Sequence, residues 1–313
     1  MRVSAEDLER SLDIARAGAA GNREGLFGPG SVKWRVDREA AIFLGAGRAL
    51  LLQLAHPWVA AAIADQSRVF DDPLGRFHRT FKVMFTMVFG TLDQALAAAR
   101  ALYRRHAAVV GVLPEAAGPF AAGSSYRAND VAALRWVHAT LVGSALLAHD
   151  LVLPPLSDEA REQYWSEAKS FAALFGIPSD SLPADWRSFI AYTEAMSESA
   201  ELTVTTAARD IAQQIFSGVA TAMPPPAWYR ALTAEMLPGR LRAAFELPLA
   251  DGDQQSAARA LAIMRRLYPL LPDRIRTVGP YQEAQARLRG RVRPSLATQW
   301  LNRLWIGQPS IGL

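Results

Sequence analysis

Residues 131–151 read VAALRWVHATLVGSALLAHDL. Apolar residues recur there at spacings of three and four. Leu134, His138, Leu141 and Ala145 therefore share one stripe of a helix. The same period governs the windows on either side, and Ala, Leu and Arg are good helix formers. Toward the N-terminus it predicts helices over 4–17, 38–54, 58–64, 74–89 and 92–112. Toward the C-terminus it predicts them over 158–175, 184–197, 200–216, 226–234, 254–267, 281–288 and 296–304. Thr91 and Ser157 stand where N-caps are expected. Pro57 disfavours helix at His56 and opens the next one. Strand signals are scarce and no repeat is present. The expectation is an all-α protein with one large helical domain over 30–313, after an N-terminal extension over 1–29.

The chain has 313 residues, half of them hydrophobic, 20% charged and none Cys. This composition excludes disorder. It also excludes disulfides, thiolate nucleophiles, zinc fingers and thiolate-ligated or covalently attached haem. All but three of the 34 basic residues are Arg, and against 30 acidic residues they leave a net charge of +4. Spread over the chain, that charge gives no reason to expect a nucleic-acid partner. The first ten residues carry Glu6, Asp7 and Glu9 and lack the apolar stretch of a secretory leader. The apolar region 40–64 is interrupted by Arg48, His56 and Pro57, short of the roughly 18–20 residues of a spanning helix. The expectation is a cytoplasmic protein without a transmembrane segment, compatible with peripheral membrane contact.

Several familiar motifs fail. Gly45-Ala46-Gly47 begins like a dinucleotide fingerprint, but Leu50 stands at the third small position and no βαβ pattern follows. A close helix contact is the better reading. Walker A, G-x-S-x-G and H-E-x-x-H sequences are absent. The five His (His56, His78, His106, His138, His149) lack a Glu three residues earlier, which removes di-iron bundles. What remains is a lone imidazole of the kind that ligates haem iron.

Three segments frame that possibility. In Asp72-Pro73-Leu74-Gly75-Arg76-Phe77-His78-Arg79-Thr80, helical spacing puts Arg76, Arg79 and Thr80 on one face. Two guanidiniums beside a hydroxyl can pair with carboxylates or donate to bound oxygen. By spacing alone, solvated arginines in an N-terminal helical turn are the better reading, because Arg is common in this chain. His106 and His138 each lie on an apolar helical face. Burial there keeps an imidazole neutral, which suits a core histidine bonded to a carbonyl and a metal ligand alike. His56 sits at the Pro57 break, where it can line a pocket or satisfy freed carbonyls. His78 and His149 read as surface or helix-end residues.

Trp34-Arg35-Val36, Gln53-Leu54-Ala55-His56-Pro57, the Arg76–Thr80 segment, His106-Ala107-Ala108-Val109-Val110-Gly111 and Trp136-Val137-His138 occur in this order. The order resembles the oxygenase family that includes latex-clearing proteins (rubber oxygenases) and the MpaB-type oxygenase of mycophenolic acid biosynthesis. The resemblance implies a globin-like helical core and b-type haem. It also implies a proximal iron ligand at His106, with His138 as a second candidate in the pocket. Arg76, Arg79 and Thr80 would stand on the distal side, and His56 near the cofactor. Latex-clearing members carry Lys where this chain has Arg79, and a distal glutamate where 58–64 offers no carboxylate. Rubber cleavage is therefore not expected. The function implied is a haem-dependent oxygenase acting with O2 on a hydrophobic small molecule. A haem sensor or carrier without turnover, or a helical protein that binds a lipid or partner without haem, is the alternative.

Overall fold

The computed structural model describes residues 1–65, 72–218 and 224–312. Helices α1 (Ala5–Ala17), α2 (Val32–Asp37), α3 (Ala46–Leu54), α4 (Pro57–Asp65), α5 (Pro73–Phe89) and α6 (Leu92–Ala108) form the first half. A short antiparallel hairpin, β1 (Val110–Val112) with β2 (Ser125–Arg127), separates them from α7 (Val131–Val152). Then follow α8 (Asp158–Ala173), α9 (Trp186–Glu198), α10 (Thr206–Ser217), α11 (Ala227–Glu235), α12 (Gly239–Ala244) and α13 (Asp251–Leu267). Short α14 (Asp273–Arg276), α15 (Gly279–Leu288) and α16 (Leu296–Ile306) close the chain. The protein is all-α with a single main core, as the periodicity predicts.

Local chemistry sets most helix starts. The Thr91 hydroxyl accepts from the Gln94 amide, and the Gln94 side chain accepts from the Thr91 amide, a capping box for α6. Ser157 caps α8, and Asp130 accepts from the amides of Ala132 and Ala133 to start α7. α6 stops at Ala108 because Val110-Gly111-Val112 pairs with Arg127, Tyr126 and Ser125, where β-branched residues fit a strand.

The expected helix over 38–54 is divided. Residues Ala40–Gly45 form a tighter 3-10 turn before α3 begins. Glu39 is extended and buried. Its carboxylate meets Arg38 at 3.1 Å and Arg276 at 3.0 Å and accepts from the Tyr268 hydroxyl at 3.1 Å. A contact more than 200 residues away in sequence thus outweighs local helix propensity.

α7 runs through the core, with Trp136 donating its indole N–H to the Leu52 carbonyl at 2.8 Å. By length and composition alone it could cross a membrane, yet most of it is buried under other helices. Gly45 and Gly47 have the packing role expected of them. A Cβ on Gly45 would stand 2.4 Å from the Ser144 carbonyl oxygen of α7, and one on Gly47 would stand 2.7 Å from Thr233 Oγ1 of α11. α1 buries Leu8, Leu12 and Ala15 in the main core, so residues ahead of position 30 are built into the same body as the rest.

Candidate functional site

A cavity of about 500 Å³ lies among α2, α3, α5, α7, α8 and α10. Its size is that of ordinary small-molecule and cofactor sites. One long wall is a face of α5. Arg76, Thr80, Met84 and Val88 recur along it every four residues, with Phe77 and Phe81 in the neighbouring row. Leu50, Leu141 and Ile211 complete the apolar surround from α3, α7 and α10.

α5 and α6 are joined by Gly90 and Thr91 alone and pack against each other, so they run antiparallel. Each has 17 residues. The first turn of α5, with Arg76, therefore lies at the same end as the last turn of α6, with His106. The other end of α5 meets α2, where the Trp34 indole donates to the Val88 carbonyl at 2.8 Å.

Arg76 is half-buried in the cavity wall and has no hydrogen-bond or ion-pair partner among the described residues. Burial, with Arg79 nearby, pulls its pKa below the usual arginine value. Thr80 shares the wall. Arg79 does not. Its guanidinium donates to Asp72 at 2.8 Å, with both side chains more than half exposed. Asp72 also accepts from the Gly75 amide at 2.8 Å and so caps α5. The three residues expected on one face divide into two that line the cavity and one that secures the helix start.

His106 is half-buried, and its ring has no partner among the described residues. Burial and the adjacent Arg105 charge lower its pKa to about 4, so it is neutral at pH 7. It does not line the cavity. His138 is buried. Its Nε2 lies 2.8 Å from the Ala168 carbonyl, and its Nδ1 has no partner. Burial, then the Lys33 charge, lowers its pKa to about 3. His56 is buried between the rings of Phe120 and Trp58, at 5.4 and 6.1 Å, outside the cavity lining. Its Nδ1 also lacks a partner, and burial lowers its pKa to about 4. His78 lies 3.1 Å from the Leu304 carbonyl of α16. His149, expected at the surface or a helix end, stands in the last turn of α7 and is buried, with Asp150 at 3.0 Å. No cluster of three or more His or carboxylates able to hold a metal exists among the described residues.

The cavity wall also holds a polar cluster outside the expected site residues. Lys33 Nζ lies 2.8 Å from Asp37 Oδ2, and the Tyr164 hydroxyl donates to Asp37 Oδ1 at 2.9 Å. A signal was there: Lys33 is one of three lysines in an arginine-rich chain and stands four residues before an aspartate.

The described residues thus form a mostly helical body around a largely apolar cavity, with a cation in its wall that has no partner among them. Residues 34–267, about three quarters of the chain, match the family model described as ER-bound oxygenase mpaB/B'/Rubber oxygenase, catalytic domain. The chain belongs to this oxygenase family. No curated protein and no solved structure matches it.

Proposed function

We propose that this protein is a haem b-dependent oxygenase that acts with O2 on a hydrophobic small molecule. The observation that carries the reading is the largely apolar cavity along α5, with Arg76, unpartnered among the described residues, in its wall. Membership of the oxygenase family supplies the reaction class.

The residues present fit a haem in their chemistry. His106 is a neutral imidazole without a described partner, the state an axial ligand needs. Arg76, at the same end of the α5–α6 pair, is a cation that a propionate carboxylate would satisfy. His138 is less suited, because its Nε2 already faces a carbonyl and the rings of Trp165 and Phe171 pack against it. His56 is a further buried imidazole with a free nitrogen, beside the cavity rather than in it. The iron of such a group would supply O2 activation. The chain would hold it through His106, anchor its acidic edge through Arg76 and offer the Thr80 hydroxyl as a donor. The phenylalanines and aliphatic residues exclude water from the guest. Arg79 is assigned to the α5 cap, since its guanidinium is spent on Asp72.

Haemin reconstitution tests this directly. The wild-type protein should develop a Soret band, His106→Ala should lose it, and His138→Ala should keep it. A protein that stays colourless overturns the reading, and a band lost only in His138→Ala moves the ligand. Substrate-dependent O2 uptake by the reconstituted protein then separates an oxygenase from a carrier.

A further inference from the structure

The ion pair at the α2 end of the cavity does not serve the haem chemistry proposed above. Lys33 is 3% exposed, Asp37 8% and Tyr164 1%, and all three face the cavity. A buried ion pair adds little to stability over well-packed apolar residues of the same volume. Packing therefore gives no reason to place one in a largely apolar wall. The pair also has bonding capacity left over. The ammonium gives one proton to Asp37. Its remaining partners are the ring faces of Phe171, Tyr164 and Phe27, at 4.5, 5.0 and 5.8 Å. Two N–H groups stay available for an oxygen acceptor.

We propose that Lys33, Asp37 and Tyr164 form a subsite for an uncharged oxygen, a hydroxyl or carbonyl, carried by an otherwise hydrocarbon ligand. The charge balance selects the chemistry. Asp37 neutralises Lys33, so a carboxylate placed here would meet a carboxylate, while an alcohol or ketone meets free donors. An anion has a better place at Arg76, at the far end of α5. The two sites are separated by about 18 Å, the rise of α5 from Arg76 to Val88. This inference rests on the cavity being the substrate cavity. It adds that the ligand is held by its oxygenated end near α2, so that the position oxidised lies at a fixed distance from that end.

The test is binding to the full-length protein, read by displacement of the neutral fluorophore N-phenyl-1-naphthylamine. The competitors are tetradecanol, tetradecane and myristate. Wild type should hold the alcohol about three- to tenfold more tightly than the alkane, the value of one or two hydrogen bonds. In Tyr164→Phe that ratio should fall by about twofold. In the double variant Lys33→Met, Asp37→Leu, which removes both charges together, the ratio should fall to about one with alkane binding retained. The subsite is overturned if wild type shows no preference for the alcohol. It is equally overturned if the preference survives in the double variant or is undiminished in Tyr164→Phe. Myristate preferred over tetradecanol, with that preference lost in the double variant, would overturn the neutral-oxygen assignment. If none of the three displaces the fluorophore, the substrate-cavity reading falls with the subsite. A Soret band and O2 uptake without an alcohol preference would remove the subsite alone.

Discussion

At the α2 end of the cavity, each charge has a partner. Lys33 is held by Asp37, Asp37 is shared with Tyr164, and Glu167 accepts from the Lys33 amide at 2.6 Å. At the α5–α6 end, Arg76 and His106 have none among the described residues. Burial costs a charge several kcal/mol unless something compensates it. A paired end is complete in the folded chain. An unpaired end leaves its polar groups without a partner among the described residues. The two ends of α5 thus differ in what they ask of a ligand: hydrogen bonding beside α2, and a counter-charge at Arg76.

The largest expected effect breaks the paired end. Asp37→Ala leaves the Lys33 ammonium buried and unpaired and should destabilise the protein by about 3–5 kcal/mol. Urea unfolding followed by far-UV circular dichroism reads it, and a loss below about 1 kcal/mol would show the pair to be dispensable.

Acid should act through the buried histidines around the cavity. His138 (pKa about 3), His56 and His106 (each about 4) sit below the ordinary histidine value in the folded state. Between those values and the unfolded value of about 6.5, the unfolded chain binds more protons. Stability is therefore complete above about pH 6.5 and is lost as pH falls toward 4, by roughly 1 kcal/mol per pH unit for each histidine. Urea midpoints measured from pH 7 to 4.5 check the sign. His138→Leu should flatten part of the slope.

A smaller effect of opposite sign belongs to the unpaired end. Arg76→Met removes a desolvated, unpartnered guanidinium and keeps most of its volume. The haem-free protein should be as stable as wild type or about 1 kcal/mol more so, while haem retention falls. Destabilisation of the haem-free protein would show that Arg76 has a structural partner after all. Smallest is Arg79→Ala. Three residues away but turned to solvent, it should leave haem binding and the urea midpoint unchanged, since exposed ion pairs contribute little. A lost Soret band in this variant would return Arg79 to the site.

Much of the fold was legible because its causes are local. Capping by Thr91, Ser157 and Asp130 and a regular apolar period fix where α6, α8 and α7 begin. The divided segment before α3 was not legible, because Glu39 takes its conformation from Arg276 and Tyr268. The first four residues of the hairpin region read as helix for the same reason: their strand partners, Ser125 to Arg127, lie beyond the window that periodicity samples. At the site, helical spacing groups Arg76, Arg79 and Thr80 on one face, but only Arg76 and Thr80 line the cavity. It could not say on which side of that face the cavity wall ends. His138 illustrates the limit most sharply. An apolar stripe correctly marks it as buried, but a buried histidine bonded to a carbonyl and one waiting for a metal share the same stripe.

By itself, the sequence determined the helical class, the ends of most helices and the short list of groups able to do chemistry. Those follow from residue type and near-neighbour spacing. Only the tertiary structure decided which charges are paired and which stand open along one cavity. Pairing depends on distances of about 3 Å between helices, and no period in a single helix encodes those.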